Sequence, residues 1–237
     1  MTTFAVTGTP IDLTHPLTPG TPHVPSQPGF EAHRIREVPA ALSTVTAFSL
    51  CTHTGTHIDA PFHALADGKR ITDYPPDFFA APAVGIGVAK ERGEEITAAD
   101  LDAAALGPGP GDVLCLATGW QAHHGSPVYH DHPHLAPSAA DWIVEHRVRI
   151  LVLDTLTPEP PVQRRGADFA LDIHRRILGA DIPIVENAAN LDQLAGLRGH
   201  VLIAPMPITG ADGAPCRVFG WFDGTSDADA ESTDSKT

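Results

Sequence analysis

The sequence predicts an α/β domain built on a largely parallel sheet. Three observations carry this expectation. Candidate strands and helices alternate along residues 83–204. The runs at 112–118 and 150–154 are apolar throughout instead of alternating, the pattern of strands covered on both faces. The 237-residue chain is 42% hydrophobic and 19% charged, a globular balance that can bury a core without disulfides.

In chain order, seven prolines between Pro10 and Pro39 predict an extended or looping segment, because each restricts itself and the residue before it. Residues 45–50 read as a strand, and 83–89 as a second, rich in small residues. A helix is expected over 96–105, with Thr97 as its cap. Pro108–Gly111 is a turn leading into the strand DVLCLAT at 112–118. A loop at 119–136 holds five histidines, then Pro137 opens a helix through His146. RILVLD forms a strand over 150–154. A helix follows at 169–178, a strand at 182–186 ending in Glu186, a helical turn at 191–194 and a strand at 200–204. The expected organisation is one α/β domain over 1–222 and a polar, acidic, flexible tail over 223–237.

Composition removes several function classes. The net charge of −14 opposes nucleic-acid binding by phosphate neutralisation. No run of 18 apolar residues suggests a membrane span. The first residues lack a basic stretch followed by an apolar one, so a cytoplasmic protein is expected. Cys51, Cys115 and Cys216 form no CxxC pair and no self-contained disulfide framework; Cys51 and Cys115 are expected as buried free thiols. There is no GxSxG elbow, GxGxxG turn or P-loop. Fourteen histidines against fifteen Lys and Arg point instead to metals or proton transfer.

The informative segment is His53-Thr-Gly-Thr-His57-Ile-Asp59-Ala-Pro-Phe-His63. Gly55, its threonines and Pro61 oppose a helix. In an extended chain the four odd positions 53, 57, 59 and 63 share one side. Two imidazoles and a carboxylate supply three ligands to zinc or a related first-row ion and leave a position open for water or substrate. His63 could complete a second metal site or move protons, and Asp59 could bridge two ions. His174, on the expected helix, and Glu186, at a strand end where α/β sheets place their sites, form a second candidate group. The histidines at 123, 124, 130, 132 and 134 could be a third ligand group or a pocket wall. Trp120 could line a substrate pocket, and Asp154 could orient groups near the site or cap a turn.

Residues 52–63, THTGTHIDAPFH, resemble the signature of the metal-dependent cyclase family, which includes bacterial kynurenine formamidase and isatin hydrolase. DLTHPLTPG at 12–20, GDVLCLATGW at 111–120, DTLTP at 154–158 and the His174–Glu186 pair extend the resemblance over most of 11–222. It implies a swivelling β/β/α fold and a homodimer or homotetramer. It also implies one or two zinc or manganese ions. His53, His57 and Asp59 would hold the principal ion; His63, His174 and Glu186 would complete a second position or serve as catalytic groups. One departure is visible. Kynurenine formamidases carry a Trp in the proline-rich opening segment, as in PxWPGD; residues 19–28 here read PGTPHVPSQP, with none.

The expected function is metal-dependent hydrolysis of a C–N bond in a small amide, formamide or lactam, aromatic ones included. An arylformamidase of tryptophan catabolism is the family's example. A lyase or dehydratase using the same cluster is the alternative enzyme class, and a non-catalytic metal-binding module the alternative outside catalysis. The expected partner is a small-molecule substrate.

Overall fold

The structure, a computed structural model, describes residues 8–222; the expected acidic tail lies outside them. Its strands are β1 (Ile11–Asp12), β2 (Glu31–Arg36), β3 (Val45–Ser49), β4 (His57–Asp59), β5 (Ala80–Gly87), β6 (Glu95–Ile96), β7 (Val113–Ala117), β8 (His134–Leu135), β9 (Ile150–Leu153), β10 (Ile184–Glu186), β11 (Arg198–Pro205) and β12 (Gly213–Phe222). Three α-helices stand among them: α1 (Ala98–Asp102), α2 (Pro137–Glu145) and α3 (Asp172–Gly179).

The main sheet runs β1-β12-β11-β5-β7-β9-β10-β4, and β12 also pairs with β4, so the sheet closes on itself. Closure leaves these strands no open edge along the ring. The centre, β5-β7-β9-β10, is parallel, as the apolar runs predict; β4, β11 and β12 join it antiparallel. Within β7 and β9 successive side chains go to opposite faces. Val113, Cys115, Ile150 and Val152 pack inside the closed sheet with Ile58, Val185 and Val218. Leu114, Leu116, Leu151 and Leu153 pack outside it against Ile143 of α2 and Ile177 of α3. A mixed α/β fold with flanking helices therefore matches the expected class.

Three differences bear on the site. Helix α1 is one short turn-and-a-half over Ala98–Asp102, ended well before residue 105; its Thr97 cap is present, with Thr97 and Asp100 bonding reciprocally. The strand at Val45–Ser49 belongs to a separate exposed hairpin with β2 and not to the main sheet. The ten-residue strand β12, missed in the sequence, supplies the closure. Its Pro and Gly residues hide a strand pattern, and only pairing with β4 and β11 reveals it.

Candidate metal centre

The signature segment is not one extended run. Only His57–Asp59 is strand. Gly55 takes φ +64, a conformation that glycine adopts without steric cost, and folds His53 back toward the strand. Pro61 opens a 3₁₀ turn ending at His63, which swings that imidazole inward. The four side chains do gather, but through turns on both sides of β4, not by period-two alternation.

Sheet register brings the distant partners. Glu186 lies opposite His57 across the β10–β4 ladder. Gly213 of β12 lies opposite Asp59, and a Cβ there would sit 2.6 Å from the Ile58 carbonyl oxygen and 3.2 Å from the His53 ring. Only glycine lets these backbones approach so closely. His174 reaches in from α3, with Nε2 3.2 Å from Glu186 Oε1 and 3.6 Å from Asp59 Oδ2.

Asp59 is the hub. Its Oδ1 is 2.7 Å from His53 Nδ1 and 3.3 Å from His57 Nε2. His57 Nε2 is also 3.3 Å from Glu186 Oε2. His57 Nδ1 is 2.8 Å from the Gly55 carbonyl, to which it donates when that nitrogen carries the proton; Nε2 then faces the cluster as an acceptor. His57 Nε2 and Asp59 Oδ2 are buried without a hydrogen-bond partner, a costly state for polar atoms. Two groups of ligand atoms, His53–Asp59–His63 and His57–Asp59–Glu186, each lie within 4.8 Å of one another and share Asp59. Orphaned buried atoms and a mixed N/O donor set fit a first-row divalent ion. A metal-chelating cluster is thus present.

Electrostatics within the cluster are mutual. Burial opposes charging His53, but Asp59 and Asp212 outweigh it and raise its pKa to about 9. Burial likewise opposes charging His57 and His174, and the carboxylates around them hold both well above the ordinary range. Burial would raise Asp59, yet the histidines around it draw it well below its usual value. Glu186 is lowered too, because the bond to His174 and the nearby His57 ring overcome burial and the charge of Asp59.

Two acids escaped the sequence reading. Asp212, just before β12, sits 2.7 Å from His53 Nε2 and 3.4 Å from His63 Nδ1. Glu159, buried, accepts from the His174 backbone N–H at 2.9 Å and lies 3.0 Å from His174 Nδ1. It fixes that ring so that Nε2 points into the cluster. Neither stands at a recognisable spacing from the motif; Asp212 precedes the missed strand, and Glu159 lies inside a TPEPP turn.

Other expectations resolve differently. Asp154 caps a turn: it accepts from the Thr118 N–H and hydroxyl and the Gly119 N–H and touches none of the cluster. Trp120 is buried behind Leu156, its Nε1 donating to the Tyr129 carbonyl at 2.9 Å, and does not line the cavity at the cluster. The histidines at 123–134 contribute neither ligand group among the described residues nor wall to that cavity. Cys115 and Cys216 are the buried thiols, with burial pushing Cys115 up to about 12; Cys51 is half-buried beside Thr54 and Gln27.

The cavity at the cluster has a volume of about 200 Å³ and is walled by His53, His57, His63, His174 and Glu186 together with Arg165 and a few small or aliphatic side chains. A wider groove of about 590 Å³ lies along Asp12–Leu17 and β12. It carries no such ligand group, so chemistry and not size locates the centre.

Comparison with known proteins covers a stretch of the chain that includes His53–His63. A family model described as putative cyclase matches residues 11–160. The kynurenine formamidase of Geobacillus thermodenitrificans is 28% identical over 202 residues, covering 82% of this chain and 90% of that protein. The kynurenine formamidase of Bacillus cereus is 30% identical over 173 residues, 73% of this chain and 78% of that one. Isatin hydrolase A from Ralstonia solanacearum superposes with a TM-score of 0.79 at 27% identity, covering 90% of this chain and 91% of that chain.

Proposed function

This chain belongs to the cyclase family that includes kynurenine formamidase and isatin hydrolase, and from that premise we propose that it is a metal-dependent hydrolase of a C–N bond in a small amide, formamide or lactam. The observation that carries the reading is Asp59, shared by two converging ligand groups, with its Oδ2 and His57 Nε2 left unpartnered in a buried cleft.

In this reading His53, His57 and Asp59 would hold a zinc or manganese ion, and Glu186, which groups with His57 and Asp59, would help to hold a second. Such an ion, when bound, supplies an acidified water and a Lewis acid for the substrate carbonyl. His63 moves the proton. It takes it from the attacking water and returns it to the leaving nitrogen. Asp212 orients the His63 ring through Nδ1. His174, locked by Glu159, presents Nε2 to Glu186 and holds the proton balance of that pair. His53 has both nitrogens engaged by carboxylates, so one of these bonds would give way where the ring holds an ion. The bonds balance simply: water oxygen joins the carbonyl carbon, the C–N bond breaks, and nitrogen departs with a proton.

The test is turnover of N-formyl aromatic amines and cyclic amides in ¹⁸O-water by the zinc- or manganese-loaded protein. Hydrolysis places one label in the acid product. A dehydratase or lyase product without label overturns the reading. Assembly into two or four copies in the cytoplasm is part of the same proposal. The exposed apolar side chains Ile35, Leu42 and Phe48 of the β2–β3 hairpin region support association, and light scattering measures it. No helix among the described residues is long and apolar enough to cross a membrane.

A further inference from the structure

Arg165 stands in the wall of the cavity that holds the cluster. Its Nε donates to the Pro160 carbonyl at 2.8 Å, and its guanidinium carbon lies 4.2 Å from the centre of the Phe169 ring. The bond and the stacking fix the plane of the group. The rest of the guanidinium fork has no ion-pair partner among the described residues, whereas its neighbour Arg164 is held by Asp131 at 2.6 and 2.9 Å. Burial works against the charge of Arg165, and the fields of Glu159 and Glu186 only partly offset it. A half-buried, immobilised cation with an open fork is short of an anion.

The remaining walls narrow the choice of anion. Ser26, Gln27 and Thr157 add small polar groups; Val24, Leu156 and Leu171 are aliphatic. Apart from the histidines, no aromatic ring lines the cavity. Its volume of about 200 Å³ falls below the ~300–1,000 Å³ of sites for drug-sized ligands. The chain as a whole is strongly acidic, so the single guanidinium in the wall of this cleft, the only Lys or Arg lining it, is a feature that would draw an anion there.

We infer that Arg165 receives a carboxylate of the substrate, so that the site selects small amides or formamides carrying a free carboxylate. The planar fork of arginine matches the two oxygens of a carboxylate, and a substrate anchored by that end shares the cavity with His57 and Glu186. This inference rests on the C–N hydrolase reading for the identity of the scissile bond, but not for the anion site itself.

The experiment uses the zinc-loaded full chain and a near-isosteric pair, N-formylanthranilate and N-formylanthranilamide. The readout is the ratio of their kcat/KM values. The wild type should favour the carboxylate, and R165Q should lower that ratio about 10-fold or more, the scale of one lost charge-assisted hydrogen bond. R165K keeps the charge and loses the fork, so it should fall between the two. An unchanged ratio in R165Q overturns the inference. If R165Q does not fold, as judged by circular dichroism and zinc content, an unchanged ratio in R165K overturns it instead. Calorimetric titration with anthranilate, which has no scissile bond, separates the two readings. If no variant turns over either formamide or the cyclic amides but R165Q binds anthranilate about 10-fold more weakly, the anion site stands and the hydrolase reading fails. Equal anthranilate binding by wild type and R165Q overturns the anion site, because the carboxylate is then held elsewhere.

Discussion

Two regions of this protein are rich in histidine, and they behave in opposite ways. Around β4, His53, His57 and His174 face Asp59, Glu186, Glu159 and Asp212, and their basicity is raised. Across residues 123–134 the carboxylates are fewer and farther away: His134 Nε2 lies 3.9 Å from Glu95, which is exposed, too weak a partner to outweigh burial. Asp131, the one acid in that loop, is taken by Arg164 and Gln163. His124 stacks on His15 with ring centroids 3.6 Å apart and planes 3° from parallel. Burial lowers His15 to about 4 and His132 to about 4, and lowers His124, His130 and His134 as well. The difference teaches that a histidine becomes a ligand or proton carrier through the carboxylates that surround it. Without them burial makes it a neutral packing group.

The strongest way to break this contrast is His57→Ala. Metal retention and turnover should be lost together, with activity down about 10³-fold or more; elemental analysis beside the assay checks it, and full activity would mean the centre lies elsewhere. Chelation is next. Stripping an ion held at about 100 times its Kd removes about 2.7 kcal/mol, so Tm should drop by about 5–10 °C. The same chelator on His57→Ala should shift nothing, because no ion remains to remove.

Glu159→Leu sharpens the contrast by removing one acid while leaving every proposed ligand. Turnover or metal affinity should fall about 10–100-fold, and Glu159→Gln should restore part of it, since an amide oxygen still accepts from the His174 backbone. Equal losses in both variants would assign Glu159 a charge role in place of an orienting one.

In the loop region the effect is on stability. His15 stays neutral in the fold to about pH 4, while in the unfolded chain it charges near ~6.5. Between these values the unfolded chain binds more protons. Its stabilising contribution is therefore complete above ~6.5 and is lost as pH falls toward 4. His15→Gln should flatten that slope by about 1 kcal/mol after allowance for its partial exposure, measured by urea unfolding in chelator at several pH values. The smallest effect belongs to His123→Ala. The side chain is exposed and outside both ligand groups, and activity should stay within about twofold; a tenfold loss would return the loop to the site.

Much of the site was legible because its densest part is local. His53, His57, Asp59 and His63 lie within eleven positions, and the Thr-Gly-Thr spacing that suits them survives as a chemical pattern. Glu186 was legible as an acid ending an apolar strand, where burial demands a partner. The parallel core was legible for a similar reason: strands covered on both faces must be apolar throughout, and β7 and β9 are. Asp212 and Glu159 were not legible, since each is an ordinary acid in a turn until its neighbour is known.

The sequence by itself therefore determined the α/β class, the types of the candidate ligands and the segment that carries most of them, because period, composition and short spacing are properties of a chain. Tertiary structure decided which acids meet which histidines. The β10–β4 register sets Glu186 against His57, and the closure by β12 brings Asp212 to His53. Those pairings span 129 and 159 positions. Only the closed sheet makes them neighbours, and electrostatic coupling depends on distance in space, not along the chain.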